Sequence, residues 1–179
     1  MTVICALVDA PKRVSWLGSS GGSQIGSIDL PESKASKWDK FGDWAIGIVG
    51  SSVARDCLEA ERNKFPHSTD EVHKVILFMR AAMDKYEIST SVDGLKDYGI
   101  CGILVHRAGA LYDFDTQLAV QVLPEDTLWS RGAGMKYALG ADEISKLSNF
   151  SPDKRVQYAV DAAIALDRDC SGQSVIEEF

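Results

Sequence analysis

The sequence predicts an α+β fold, a four-layer αββα sandwich of two antiparallel sheets between two layers of helices. Groups of β-rich runs stand at the start, in the middle and at the end of the chain, and pairs of amphipathic helical segments separate them. Some runs, such as GICGILV over 99–105, are apolar on both faces. A sheet with two apolar faces must be covered on both sides, which the four-layer arrangement achieves.

The first half of the chain supplies one strand group and one helix pair. Runs over 3–8 and 13–18 form a predicted hairpin, because Pro11 between them marks a turn. A stretch rich in Ser, Gly and Lys predicts a long loop over 19–37. The next elements are a strand and two helices: 43–50, then 53–65 after a Ser51 or Ser52 cap, then 72–86 introduced by Thr69.

The second half repeats this order and ends on a strand. Its predicted strands and helices are, in sequence, 99–107, 110–115, 118–123, 135–147, 151–166 and 174–179. Ser151 is the predicted N-cap of the last helix, with Pro152 at its first position. Because no repeat, low-complexity tract or linker interrupts the chain, we expect a single domain over 1–179.

The acidic composition excludes several classes of function. The chain has 179 residues, a formal net charge of −7 and a pI near 4.9. Nucleic-acid binding and adhesion to anionic membranes both need a basic surface, so neither is expected. The opening apolar run is too short for a signal peptide or a membrane span, and we expect a cytoplasmic protein.

No set of residues has the spacing of a metal or cofactor site. The four cysteines form no CxxC pair and are predicted to be reduced core thiols: Cys5, Cys57, Cys101 and Cys170. The three histidines, His67, His73 and His106, fall on a loop, a helix and a strand without ligand spacing. The glycine-rich run over 18–26 lacks the GK[ST] ending of a phosphate loop. We therefore expect neither a metal nor an organic cofactor.

The strand that starts directly after Thr2 gives the beginning of the chain a chemical meaning. Removal of Met1 is usual when the second residue is small, and it would leave a free amine and a hydroxyl on Thr2. An α-amino group has an ordinary pKa of about 7.7–8.0, so part of it is neutral at pH 7 and can accept the hydroxyl proton. One residue would then supply nucleophile and base together.

The sequence resembles the N-terminal-nucleophile threonine peptidases, the family of proteasome β subunits and bacterial HslV. Four features in the same order and spacing carry the likeness: Thr2 with its strand, GIVGSS over 47–52, RGAGMKYALGA over 131–141 and DRDCSGQSVIEEF over 167–179. The likeness runs over the whole chain and is similar in style to the proteasome homologues of betaproteobacteria. It implies the N-terminal-nucleophile hydrolase fold, with Thr2 as the nucleophile.

The resemblance also implies an active-site lysine. This lysine falls on Lys37, or less well on Lys34, because KWDKF over 37–41 matches the family's lysine, apolar residue and turn. A buried lysine near the Thr2 amine would lower the pKa of that amine by like-charge repulsion. The alternative is that both lysines are solvated loop charges.

Three more positions take roles from the resemblance. Gly50 falls on the glycine whose backbone N–H forms the oxyanion hole, although it also reads as a turn glycine between strand and helix. Asp169 and Ser171 fall on an aspartate and a serine that hydrogen-bond the threonine amine. Their spacing is one residue shorter than in the proteasome, and Asp167 would be one residue too long. The alternative for Asp169 is an ordinary loop acid.

Two departures from the family pattern bear on activity. The family places a lysine-pairing aspartate at the end of the second strand, where this chain has Ser19 and Ser20. A serine of the later glycine turn falls on Gly132, and Ser130 stands two residues early. Both changes bear on how fast the enzyme works and on whether its active arrangement forms without an activator.

Together these features predict a self-compartmentalising threonine peptidase subunit that cuts unfolded polypeptides. The resemblance implies stacked homo-oligomeric rings and an AAA+ ATP-dependent unfoldase as a partner. We expect Trp38 and Trp44 to be exposed at contacts between subunits. The alternatives are a catalytically silent ring protein, which the two departures favour, and a small-molecule amidohydrolase built on the same plan.

Overall fold

The computed structural model describes residues 2–21, 23–25, 28–30 and 36–179, with side chains except those of 23–25, 28–30 and 92. The strands are β1 (Val3–Asp9), β2 (Val14–Ser20), β3 (Ser23–Ile25), β4 (Ile28–Leu30), β5 (Trp38–Phe41), β6 (Trp44–Gly50), β7 (Thr90–Val92), β8 (Leu95–Asp97), β9 (Ile100–His106), β10 (Leu111–Phe114), β11 (Val120–Val122), β12 (Trp129–Gly132) and β13 (Ser174–Glu178). The helices are α1 (Ser52–Ala60), α2 (Val72–Lys85), α3 (Met135–Leu147) and α4 (Pro152–Leu166), with a 3-10 turn at Arg62–Lys64.

Two antiparallel sheets carry the fold. The first sheet has the order β12-β1-β2-β13, and the second has the order β11-β10-β9-β6-β5. β3 pairs with β4, and β7 pairs with β8, as separate short hairpins. β1 is an interior strand, with β2 and β12 hydrogen-bonded on its two sides.

The alternating side chains of β1 point into two different layers of the core. Val3 and Cys5 belong to a cluster that includes buried residues of α3 and α4. Ile4 and Ala6 belong to a cluster between the two sheets. A third cluster lies where α1 and α2 cover the other face of the second sheet. The predicted αββα sandwich is therefore confirmed.

Most helices begin and end close to the predicted positions because their signals are local. The helix predicted over 53–65 is too long, because α1 ends at Ala60 and a 3-10 turn follows at Arg62–Lys64. α3 and α4 match the predicted ranges, and Pro152 occupies the first turn of α4 after Ser151. α2 begins at Val72, and the Thr69 hydroxyl accepts the backbone N–H of Glu71 just before it. None of the helices in the described ranges combines the length and apolar character needed to cross a membrane.

Several short strands are present that the sequence patterns do not predict. β12 lies where a glycine turn is predicted, and β5, β7 and β8 are additional. The predicted loop over 19–37 is also partly wrong, because β2 continues to Ser20 and β3 and β4 form within it. Strands of three or four residues are too short to show a clear alternation, so pairing with a neighbour decides their formation.

Trp38 and Trp44 are buried, which corrects the prediction that they are exposed. Their exposed fractions are 5% and 0%. The indole N–H of Trp38 donates to the Gly18 carbonyl at 3.0 Å, and that of Trp44 donates to the Thr69 carbonyl at 2.7 Å. A buried indole needs such an acceptor. Both side chains therefore stabilise the subunit core and give no support for contacts between subunits.

Candidate active site

Thr2 is held at the open end of β1 by the start of the segment after β12. The Thr2 carbonyl accepts the backbone N–H of Ala133 at 3.0 Å, and Val3 pairs with Gly132. Gly132 has a φ of +106°, and a Cβ there would lie 2.0 Å from the Thr2 carbonyl oxygen. A serine at this position would displace Thr2, so the departure at Gly132 has a steric reason in this chain.

The Thr2 hydroxyl contacts a serine at the end of β2. Thr2 Oγ1 lies 2.9 Å from Ser20 Oγ, and either atom can be the donor. Ser20 Oγ also accepts the backbone N–H of Val3 at 3.2 Å. Ser20 is completely buried and Thr2 is half-buried, so this contact is partly shielded from water.

The neighbouring serine, Ser19, faces Lys37. Ser19 pairs with Ile4 across β1 and β2, and its buried hydroxyl accepts the backbone N–H of Lys37 at 3.2 Å. Trp38 follows at once and bonds the Gly18 carbonyl, so two consecutive residues tie the start of β5 to the end of β2. This connection brings Lys37 to the strand end that carries Ser20 and Thr2.

The surroundings of Lys37 disfavour the charged form of its side chain. The side chain is half-buried, and the pKa of Lys37 is lowered by desolvation and then by the positive charge of Arg55. Arg55 is held by Asp39 through two hydrogen bonds of 2.7 Å and 2.6 Å. The alternative candidate, Lys34, lies outside the described residues.

Gly50 ends β6, on the side of the second sheet where Lys37 precedes β5. Trp38 pairs with Gly47, so the chain before Trp38 lies beside the last residues of β6. Gly50 pairs with Ile100 and has a φ of +117°, and a Cβ there would lie 2.3 Å from the Gly99 carbonyl oxygen. This close approach already requires a glycine, so the role of Gly50 in an oxyanion hole stays a prediction.

Asp169 and Ser171 lie on the loop between α4 and β13. Cys170 between them is buried in the same cluster as Val3, and burial raises the pKa of its thiol to about 11. The loop leads into β13, whose Ser174 pairs with Ser20. The loop therefore ends next to the strand end that contacts Thr2.

Within this loop the two predicted residues differ in their contacts. The backbone N–H of Asp169 donates to the Asp167 carboxylate at 2.9 Å, so Asp167 shapes the turn. The Ser171 hydroxyl is buried and has no hydrogen-bond partner among the described residues. In the described part of the chain, no hydrogen bond joins the Thr2 side chain to either Asp169 or Ser171.

Ser130 is engaged with the middle of β1 and not with Thr2. It is completely buried, its hydroxyl donates to the Ile4 carbonyl at 3.0 Å, and the Cys5 thiol lies 3.5 Å away. The next residue, Arg131, crosses to the second sheet, where its Nε lies 2.6 Å from an oxygen of the buried Asp113. Sequence reasoning did not find this ion pair, because its partners are 18 residues apart on short strands.

The structure thus links some of the sequence-predicted residues by hydrogen bonds and leaves others without such a link among the described residues. Hydrogen bonds link Thr2 with Ser20, and Ser19 with Lys37. The sequence singles out Ser20 only beside Ser19, as a position where the family has an aspartate, and the direct contact of Ser20 with Thr2 was missed. The signal for it was the tandem serine at a strand end, but the contacts between the end of β2 and the start of β1 decide which serine meets Thr2. No group of three or more His, Cys, Asp or Glu in the described ranges could hold a metal ion.

The solved structures that are similar to this chain share one fold. Neither a protein-family model nor a curated protein sequence matches this chain. Among solved structures, Thiobacillus denitrificans BPH, a bacterial proteasome homologue, is similar with a TM-score of 0.81 and 16% identity, covering 100% of this chain and 97% of that one. The same protein in complex with epoxomicin gives a TM-score of 0.77 at 16% identity, covering 100% and 98%.

A second solved protein extends this likeness. The eukaryotic HslV from Trypanosoma brucei is similar with a TM-score of 0.71 and 17% identity, covering 99% of this chain and 98% of that one. The similarity therefore spans the whole length of each protein, although few residues are identical. This chain has the layered α+β fold of HslV and of the bacterial proteasome homologue.

Proposed function

We propose that this chain is a threonine endopeptidase subunit that uses Thr2 as both nucleophile and base. The observation that supports it most is the position of Thr2, which directly precedes the buried central strand β1 with its hydroxyl on Ser20. The fold shared with HslV and the proteasome homologue supports the same function. In addition, epoxomicin binds the homologue.

The proposed reaction begins once Met1 has been removed. The neutral α-amine of Thr2 accepts the proton of Oγ1 as that oxygen attacks the carbonyl carbon of a peptide bond. The amine then passes the proton to the leaving nitrogen, so that an ester on Thr2 and a new amino terminus form. Water, deprotonated by the same amine, hydrolyses the ester and restores Thr2.

Other residues take supporting roles in this proposal. The backbone N–H of Gly50 would bind the negatively charged oxygen of the tetrahedral intermediate. Lys37 would act on the Thr2 amine through its charge, and burial and Arg55 lower the pKa of Lys37. Asp169 and Ser171 would hold the amine, and the partnerless buried hydroxyl of Ser171 is suited to accept or donate such a bond.

We further propose that the subunit assembles into stacked homo-oligomeric rings and takes unfolded polypeptide from an AAA+ unfoldase. If Thr2 faces the inner chamber of the rings, a nucleophile with little sequence preference would reach only unfolded chains. All four cysteines are free thiols, which fits the reducing cytoplasm. The chain as a whole is proposed to be one N-terminal-nucleophile hydrolase domain over 1–179.

The intact mass of the purified protein tests this function most directly. We expect a mass without Met1, and after incubation with epoxomicin we expect one adduct that peptide mapping places on Thr2. A native-mass measurement should show a multiple of six or seven subunits. Retention of Met1 would contradict the mechanism, since Thr2 would have no free amine, and a stable monomer would contradict the chamber.

A catalytically silent ring protein is the second candidate, and two observations favour it. Ser19 stands where the family resemblance places a lysine-pairing carboxylate, and Gly132 leaves no space for the expected serine. A ring of normal mass that neither cleaves peptides nor reacts with epoxomicin would support this candidate. A monomeric or dimeric protein that hydrolyses small amides would instead support an amidohydrolase.

A further inference from the structure

Ser20 lies between the proposed nucleophile and the backbone of β1. Its Oγ is 2.9 Å from Thr2 Oγ1 and accepts the backbone N–H of Val3 at 3.2 Å. Ser20 is completely buried and Thr2 is half-buried, so the contact with Val3 is shielded from water and the contact with Thr2 is partly shielded. Nothing in the resemblance assigns a role to a hydroxyl at this position.

The two contacts of Ser20 allow its own proton to point to Thr2. A backbone N–H can only donate, so Ser20 Oγ is the acceptor from Val3. Its hydroxyl proton can then point to Thr2 Oγ1, which lies at hydrogen-bond distance. If Thr2 donated instead, its proton would face Ser20 and would not face the α-amine that must receive it.

We propose that Ser20 is a positioning residue that donates a hydrogen bond to Thr2 Oγ1 and so directs the Thr2 proton toward the α-amine. This inference rests on the proposed threonine peptidase function. As Oγ1 bonds to the substrate carbonyl carbon, the Thr2 proton passes to the amine and the proton of Ser20 stays on Ser20. The hydrogen bond from Ser20 strengthens while Oγ1 carries more negative charge, which favours the transition state over the ground state.

The surrounding sheet keeps Ser20 in place for this role. Ser20 ends β2 and pairs with Ser174 of β13, and the next amide, that of Gly21, donates to the Gln173 carbonyl at 2.8 Å. Successive side chains of a strand point to opposite faces. The Ser19 hydroxyl therefore contacts the backbone N–H of Lys37, while the Ser20 hydroxyl contacts the Thr2 hydroxyl. Two adjacent serines thus contact two different members of the candidate site.

The test compares Ser20→Ala and Ser20→Cys with Ser15→Ala in the processed, assembled protein. Cysteine keeps nearly the shape of serine but is a weak donor, so it removes most of the hydrogen bond without leaving a cavity. Ser15 is a matched control, because it is a buried serine of the same strand whose hydroxyl has no partner among the described residues. The readouts are kcat and KM on a fluorogenic peptide, the rate of epoxomicin adduct formation and the pH profile.

We expect both Ser20 variants to lose about tenfold to one-hundredfold in kcat and in adduct rate, the range for a hydrogen bond to a charged group. KM and the pH of the rising limb should stay at the parent values, because neither substrate binding nor the pKa of the amine involves Ser20. Ser15→Ala should match the parent.

Three outcomes would overturn the inference: either Ser20 variant within twofold of the parent in kcat, a change confined to KM, or an equal loss in Ser15→Ala. Loss of folding in Ser20→Ala leaves Ser20→Cys to decide. A parent protein that neither cleaves the peptide nor forms the adduct would instead remove the proposed function, and with it the role of Ser20.

Discussion

Lysines of this protein lie in two contrasting surroundings, one around Glu61 and one beside Ser19 at the end of β2. Glu61 is buried just after α1 and accepts hydrogen bonds from Lys64 and Lys85. These bonds lower the pKa of Glu61 to about 2, and the contact with Glu61 raises the pKa of Lys85. At the candidate site the backbone N–H of Lys37 donates to the Ser19 hydroxyl. Burial and the positive charge of Arg55 lower the pKa of the Lys37 side chain.

The ion pair at Glu61 has a structural use, because it raises the pKa of Lys85 and joins the end of α1 to α2. The surroundings of Lys37 act in the opposite direction, since burial and the charge of Arg55 disfavour its charged form. Structural ion pairs such as that of Glu61 also shift pKa values, so the lowered pKa of Lys37 supports its proposed role together with its position beside the end of β2.

The largest expected effect comes from removing the Thr2 hydroxyl. Thr2→Ala should abolish peptide cleavage, because no nucleophile remains, while folding, Met1 removal and assembly stay normal. Thr2→Ser is the matched control, since it keeps a hydroxyl and an amine. Cleavage of a fluorogenic peptide, native mass and intact mass report the result. If Thr2→Ala retained activity, the nucleophile would have to be a different group.

A smaller effect is expected from placing a carboxylate at position 19, where the Ser19 hydroxyl now accepts the backbone N–H of Lys37. With a serine at this position, we expect weak activity that rises toward pH 8–9, where an amine with an ordinary pKa of about 7.7–8.0 loses its proton. In Ser19→Asp the new carboxylate would hold Lys37 charged, and the charged ammonium would disfavour protonation of the Thr2 amine. The rising limb should move to lower pH and turnover at pH 7 should increase up to about tenfold, the effect of one pKa unit.

Ser19→Asn is the control for this change, because it matches the size of the aspartate without its charge. Activity is measured from pH 6 to 9 on assembled protein. Should Ser19→Asp cleave no faster than the parent at pH 7 while assembling normally, the pairing of Lys37 with the end of β2 must be abandoned.

The smallest effect on catalysis is expected at the structural cluster. Glu61→Gln removes the acceptor charge for Lys64 and Lys85, so Tm at pH 7 should fall while kcat of the folded protein stays the same. The pKa of Glu61 is lowered from an ordinary 4.5 to about 2, so its stabilising effect is present above about pH 4.5 and is lost as the pH falls toward 2. The Tm difference between variant and parent should therefore shrink over that range.

Glu59→Gln provides the matched control, because Glu59 pairs with Arg62 on an exposed surface and such pairs contribute little. Thermal unfolding at several pH values decides the matter. If Glu61→Gln lowered Tm no more than Glu59→Gln does, or if it lowered kcat, the Glu61 cluster could not be assigned a purely structural role.

Much of the fold was predictable from local patterns in the sequence. The apolar runs of β1, β6 and β9 and the helical periodicities of α3 and α4 depend on neighbouring residues, so they appear in the correct order. The start of β1 directly after Thr2 was visible in the same way. Likewise, the residue types at 19, 37 and 50 could be compared with a family pattern position by position.

What the tertiary structure decided depends on contacts between residues far apart in sequence. The existence of β12, the burial of Trp38 and the lack of space at Gly132 follow from pairing and packing with distant segments. The choice of Ser20 as the partner of Thr2 follows from the contacts between the end of β2 and the start of β1. The lowered pKa of Lys37 follows from its burial and from Arg55, 18 positions later in the printed sequence. Local sequence patterns describe short-range preferences, whereas register, burial and charge environment arise only when distant segments meet.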